Sequence, residues 1–252
     1  MPWPGPVAFL DGVQQWEPVA SAGVSPLVVA DVAAAVRLRE GRRFRTAVVR
    51  RDRVVIGRPE ALALAGAALD GWTTLALSAD EAPHPIGDLV LARAAVERRR
   101  GELEREVGRA FRAASADWLV VDGSLTESPE WAADARMIGV IKSHASLPFA
   151  GQDLETYLRL PARARSSVFR PASRVRAPVH SWALRLWPWE GKDLLYGLVR
   201  VEVAPSEEVT PRADEISRWL LAERAPVSTP DARWDRLLYG IHDVERYLRS
   251  ER

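Results

Sequence analysis

The amino-acid sequence predicts an α/β protein, a mixed sheet flanked by helices, and three observations carry that expectation. Two short apolar runs, Val7-Ala8-Phe9-Leu10 and Trp118-Leu119-Val120-Val121, each lead into an Asp-Gly pair, Asp11-Gly12 and Asp122-Gly123. Apolar runs of this length, punctuated by a turn-forming pair, have the pattern of buried strands. Between them, residues 88–114 place Val96, Leu103, Val107, Ala110, Phe111 and Ala114 at helical spacing.

The elements follow in order. Residues 27–38 and 44–56 read as two further strands, joined at Glu40-Gly41-Arg42-Arg43. The polar run Arg50-Arg51-Asp52-Arg53 reads as a turn interrupting the second. Residues 73–78 form a fourth strand and the two prolines within 80–87 mark a loop. The helix over 88–114 comes next, weakened slightly by Gly101 and Gly108. A strand ending at Asp122 follows, then a short strand at 137–141 leading into Lys142-Ser143-His144. Residues 153–158 suit a helical turn, and 181–187 and 194–203 alternate as a hairpin. Thr210 caps a helix with Pro211 at its first position, and Asp231 caps a terminal helix reaching Leu248. With no repeat and no convincing linker, residues 1–252 are expected to form a single domain, with 158–180 a basic loop region. A meander, a helix and then an acid-bearing strand give a ribonuclease H-like layout.

Two strand-end carboxylates on neighbouring strands repel unless a cation lies between them, so Asp11 and Asp122 ask for a divalent metal. Oxygen ligands favour Mn²⁺ or Mg²⁺. A single Asp-Gly reads equally well as a plain turn. In the helix, Glu104 lies nearest the edge of the apolar face, Glu106 is intermediate and Glu102 lies well round the other side. Glu104 is therefore the third candidate ligand, against the plainer reading of a solvated acid among arginines. His242 in the last helix suits either a core position or a metal-binding or proton-shuttling role. Lys142 is one of two lysines among 35 basic residues, which suggests a place where a compact ammonium is wanted against phosphate. His144 is a second such group, whereas His84 and His180 carry no clear signal.

The net charge is only +1, but residues 156–189 contain no Asp or Glu while holding Arg159, Arg163, Arg165, Arg170, Arg174, Arg176 and Arg185. A field of one sign points to a polyanion, and Arg163, Arg165, Arg170, Arg174 and Arg176 are the candidate DNA contacts. A solvated arginine-rich loop is the alternative.

Several classes are excluded. With no cysteine there is no disulfide, thiolate metal site or cysteine nucleophile. No glycine-rich phosphate loop and no Gly-x-Ser-x-Gly elbow occur. Residues 1–6 show no leader pattern and no apolar run approaches the ~18 residues of a membrane span, so a cytoplasmic protein is expected.

Taken together, these segments resemble the NurA nucleases. The resemblance rests on Phe9-Leu10-Asp11-Gly12, Glu104, Val121-Asp122-Gly123-Ser124-Leu125 and Gly139-Val140-Ile141-Lys142. It continues through Arg165-Ser166-Ser167-Val168-Phe169-Arg170, Ser181-Trp182-Ala183-Leu184-Arg185-Leu186, Val199-Arg200-Val201-Glu202-Val203 and the late His242. The first motif departs from it, reading Asp11-Gly12-Val13-Gln14 where Asp-Gly-Ser is usual. The resemblance implies a Mn²⁺-dependent (or Mg²⁺-dependent) nuclease that resects DNA from 5′ ends, cuts single strands and acts in end processing or repair. It implies a homodimer and a HerA-type hexameric ATPase as partner. Asp11, Glu104, Asp122 and His242 would hold the metal, and Lys142 would meet phosphate. The competing expectations are a non-catalytic nucleic-acid-binding or scaffold subunit on the same fold, and a phosphotransferase. The missing phosphate-binding glycine motif weighs against the latter.

Overall fold

The computed structural model describes residues 3–66, 70–78, 82–144, 147–171, 177–225 and 234–250. Eight strands form one sheet: β1 (Val7–Ala22), β2 (Ser25–Glu40), β3 (Arg43–Gly57), β4 (Thr73–Ala76), β5 (Trp118–Asp122), β6 (Met137–Ile141), β7 (His180–Arg185) and β8 (Leu198–Val203). Their order is β4-β3-β2-β1-β5-β6-β8-β7. The β1–β5, β5–β6 and β3–β4 pairs are parallel, and the β6–β8 and β8–β7 pairs antiparallel. The helices are α1 (Pro59–Ala65), α2 (Pro85–Ala114), α3 (Pro129–Ala133), α4 (Gly151–Leu158), α5 (Val209–Ala222) and α6 (Tyr239–Ser250). This is the mixed α/β sheet with flanking helices that the sequence predicts.

Several boundaries differ from expectation, each for a local reason. The first strand does not stop at Asp11-Gly12; it runs on to Ala22 and turns at Gly23, whose φ of 59° suits the tight link into β2. The polar run at 50–53 is not a turn. It continues β3 because its charges are matched: Asp52 accepts from Thr73 and Arg99 at 2.7 Å each, and Arg53 stacks on Trp72. Helix α1 had no sequence expectation. Helix α2 begins at Pro85, where the His84 imidazole accepts the Gly87 amide at 3.0 Å. Helix α5 begins before Thr210, so Pro211 falls in a first turn whose N–H groups have no helical partner to lose. Helix α6 begins at Tyr239, and the expected cap Asp231 lies outside the described residues. Strands β7 and β8 are shorter than expected because turns occupy the chain up to Gly197, which has a φ of 65°.

The chain divides into two compact units, each drawn from separated stretches. One comprises the chain up to Leu10, Arg37–Arg45 and Ser115–Val244. Its interior includes the fully buried Leu119, Val120, Trp182, Leu184, Val201 and Ile216. Trp182 donates to Ser217 Oγ at 3.0 Å, and Trp3, Trp118 and Trp219 pack in tilted and edge-on contacts. Arg185, which belongs to the acid-free basic stretch, is fully buried rather than on the surface. Its guanidinium donates to the carbonyls of Leu158, Leu160, Leu194 and Tyr196, and burial lowers its pKa to about 10.

The other unit comprises Asp11–Val36, Thr46–Ala114 and the chain end from Glu245. Helix α2 buries Val96, Leu103, Val107 and Phe111 on one face. Leu27, Val55 and Ala61 form a local cluster. Arg58 grips Asp88 in a two-pronged pair at 2.9 and 2.8 Å, with Ser25 Oγ adding a bond at 3.0 Å.

Candidate metal and nucleic-acid site

Asp122 ends β5. Its carboxylate receives Lys142 Nζ at 2.6 Å, both side chains being mostly buried. The pairing follows from register: Asp122 lies opposite Val140, and Lys142 is the next residue but one along the chain. Gly123 then turns sharply, with φ of 143°, and its N–H bonds the Val140 carbonyl at 3.0 Å. The chain crosses directly over Gly139, where a Cβ would sit 2.7 Å from the Gly123 carbonyl oxygen. Across β6, Glu202 on β8 catches the crossing segment. Its Oε2 accepts from Ser124 Oγ at 2.7 Å and from the Leu125 amide at 3.0 Å. Its Oε1 meets Arg200 at 3.2 Å. Glu202 is 1% exposed, so a buried acid fixes the loop that carries Asp122. The sequence offers one signal for it: a lone carboxylate in the strand Leu198-Val199-Arg200-Val201-Glu202-Val203.

In the other unit, Asp11 sits within β1, 6% exposed, its Oδ1 accepting the Gly12 amide at 2.8 Å. A Cβ on Gly12 would collide with Glu104 Oε1, so the absence of a side chain there lets Glu104 lie against the strand beside Asp11. Glu104 pairs with Arg100, which also donates to Gln14 at 3.1 Å. Its side chain is 13% exposed, against 42% for Glu102 and 41% for Glu106. The last two instead hold Arg99 together with Asp52. Burial works against the Arg99 charge, but these three carboxylates outweigh it and raise its pKa.

His242 lies in the first turn of α6. Gly240, two residues earlier, rests so closely on the Phe9 ring that a Cβ would collide with it. His242 Nδ1 is shut off from solvent and has no hydrogen-bond partner among the described residues. His144 sits differently. Its Nε2 contacts the Leu198 carbonyl at 2.9 Å, and burial, aided by the charges of Arg236, Arg200 and Arg185, pushes its pKa down despite that contact.

Among the described residues, no group of three or more acidic or imidazole side chains forms a ready metal cage. The donor chemistry nevertheless fits a hard divalent cation. Glu104 Oε1 lies against Gly12, the residue after Asp11, so this unit offers carboxylate oxygens, and in the other unit His242 keeps a buried ring nitrogen with no hydrogen-bond partner among the described residues.

The basic segment is ordered against β7 rather than a free loop. Arg165 pairs across to Leu184 and Phe169 to Ser181. Arg163 and Arg170 are exposed, whereas Arg165 is tied to Asp214 at 2.6 Å, and Arg159 to Glu155 at 2.9 Å. Acids from elsewhere thus neutralise part of the field that the sequence suggests. Arg174 and Arg176 lie outside the described residues.

Compared with known proteins, the chain matches no family model and no curated protein sequence. Among solved structures it matches the NurA nuclease from Sulfolobus solfataricus, with a TM-score of 0.62 over 98% of this chain and 80% of that one. At 11% identity this likeness establishes a shared fold. No helix among the described residues is long and apolar enough to cross a membrane.

Proposed function

We propose that the protein is a divalent-metal-dependent DNA nuclease, cutting single strands and trimming 5′ ends, with Asp11, Glu104, Asp122 and His242 as ligands for Mn²⁺ or Mg²⁺. The observation that carries this reading is the register of the two strands bearing the aspartates. β1 and β5 pair in parallel as far as Leu10↔Val121, and in each strand the next residue is the aspartate. The nuclease identity of the protein sharing this fold supports it.

When bound, the metal would supply charge neutralisation and a water of lowered pKa. The chain's own residues do the rest. Asp122, fixed by Glu202 through Ser124 and Leu125, presents its carboxylate at a rigid strand end. Lys142 balances that carboxylate and is placed to neutralise a non-bridging phosphate oxygen of the scissile bond. The exposed Arg163 and Arg170 hold the strand by its phosphates.

The sequence has no ATP-binding loop, so duplex opening falls to a separate motor. A HerA-type hexameric ATPase is the proposed partner, acting on a homodimer of this chain in the cytoplasm. A second reading, a non-catalytic DNA-binding subunit, is favoured by the Lys142–Asp122 pair, which already neutralises one carboxylate.

The test is cleavage of single-stranded and supercoiled DNA with and without Mn²⁺. Asp122→Asn keeps the shape and removes the charge, so cleavage should fall by at least ~100-fold with the fold intact. Undiminished cleavage by purified Asp122→Asn would reject the site, and metal-independent binding without cleavage by wild type would favour the second reading.

A further inference from the structure

Between the segment docked on β7 and the start of α5 lies a cavity of about 430 Å³, lined by Arg165, Phe169, Arg170, His180, Val209 and Thr210. One wall is tied to the sheet. Phe169 and Ser181 exchange two backbone hydrogen bonds of 2.8 Å, which sets Arg170 on a rigid sheet edge.

His180 is the unusual member. It is 8% exposed, and both ring nitrogens face donors. Arg170 Nε–H points at Nε2 from 3.3 Å, and the Ser206 amide points at Nδ1 from 3.4 Å. Burial, then the Arg170 charge, pushes its pKa below the usual 6.5, so near neutral pH the ring carries one N–H. Whichever nitrogen holds that hydrogen, one donor faces another, and among the described residues no acceptor is bonded to the buried ring.

The surroundings supply further donors. No side chain of the N-cap residue Glu208 closes the start of α5, so its first-turn amides at Val209 and Thr210 have no helical partner. The positive end of the helix dipole lies there too. Two carboxylates belong to the same neighbourhood. Asp214 holds Arg165 Nε, and Glu208 stands at the start of the helix. An acceptor entering between Arg170 and His180 would turn a donor–donor conflict into two charge-assisted hydrogen bonds.

We propose that this cavity binds a phosphoryl group, held by Arg170, His180 and the first turn of α5. Donors of three kinds, a guanidinium, an imidazole N–H and helix first-turn amides, belong to residues lining this one cavity, which suits the several oxygens of a phosphate. The cavity also has room beyond the phosphate for part of the group that carries it. The inference rests on the cavity's own residues, and only the choice of DNA as a source of phosphate rests on the nuclease reading.

The experiment uses the full chain in EDTA, where cleavage plays no part. The probes are inorganic phosphate and two otherwise identical single-stranded oligonucleotides, one 5′-phosphorylated and one 5′-hydroxyl. Binding is followed by anisotropy and by the His180 ring signals in NMR. Phosphate should move the His180 signals, and the phosphorylated strand should bind at least about tenfold more tightly than its twin. Arg170→Ala, an exposed position that leaves the fold intact, should abolish both effects. Equal binding of the two strands, with an Arg170-dependent phosphate shift at His180, would identify free or backbone phosphate as the source and still support the site. No response of His180 to any probe would overturn it. Because EDTA removes cleavage, a failure here leaves the nuclease reading untouched.

Discussion

The anchor of the helix that carries Glu104 gives the sharpest stability prediction. Asp88 is 1% exposed and Arg58 4%, and the guanidinium binds the carboxylate with both prongs. Asp88→Asn removes the charge while keeping the size. Breaking one side of a buried ion pair typically costs about 3–5 kcal/mol. Arg58 retains its bond to the Ala82 carbonyl, which places the cost near the lower end, at about 3 kcal/mol. For a chain of this size that corresponds to a Tm lower by roughly 6–12 °C. Replacing both partners, as Arg58→Met with Asp88→Leu, should recover much of the loss, because no buried charge is left alone. The pH dependence has a definite sign. The Arg58 hydrogen bonds, opposed by burial and aided by Ser25, hold the Asp88 carboxyl below its usual 3.8. The pair's contribution is therefore present above pH 3.8 and is lost as pH falls below it toward the folded-state value. Urea titrations of wild type, both single variants and the double variant, at neutral pH and near pH 3, measure this directly. A coupling energy below about 0.5 kcal/mol, or an acid slope unchanged by Asp88→Asn, would refute the reasoning.

Three further outcomes follow from the geometry. Glu104→Gln should impair cleavage far more than Glu102→Gln, because only Glu104 lies against Gly12; equal loss in steady-state assays would remove Glu104 from the site. Replacing Arg163 and Arg170 together with Ala should flatten the slope of log affinity against log salt by roughly two units, since each neutralised phosphate contributes about 0.9. An unchanged slope would place the DNA path elsewhere. Gly139→Ala should lower stability by about 1–3 kcal/mol, read by urea titration, because its Cβ meets backbone rather than a yielding side chain. It should reduce cleavage as well, since the displaced backbone belongs to the loop beside Asp122.

Much of the architecture was legible because it depends on local pattern. The apolar runs before Asp11 and Asp122, the 137–141 strand and the long helix all appear where periodicity and composition place them. What was not legible depends on distant partners. The run Arg50-Arg51-Asp52-Arg53 reads as a turn until Asp52 finds Thr73 and Arg99, and Arg185 reads as surface until four carbonyls enclose its guanidinium. The acid-free stretch at 156–189 was real in sequence but partly neutralised in space, because Asp214 reaches Arg165 from a helix almost fifty residues later. For the candidate site, helix phase separated Glu104 from Glu102 correctly in exposure. The close approach of Glu104 to Gly12 could not be read from that phase, since it needs the strand to continue through Gly12.

The two Asp-Gly pairs use glycine for different ends, and the difference explains how two carboxylates can be held rigidly. At Gly12 the missing Cβ leaves space for an incoming side chain, so Glu104 can lie against a strand that does not bend away. At Gly123 the glycine supplies a φ of 143° that a side chain would oppose, and the space is made instead by Gly139 on the neighbouring strand. The crossing loop is then fastened by Glu202, a carboxylate that no solvent reaches and that spends its charge on Ser124, Leu125 and Arg200. Glu202 is thus a positioning group, and its geometry separates it from the ligand candidates. Its acceptor oxygens are engaged by the loop and by Arg200, whereas the Asp122 carboxylate meets the ammonium of Lys142, a contact that takes no part in fastening the loop.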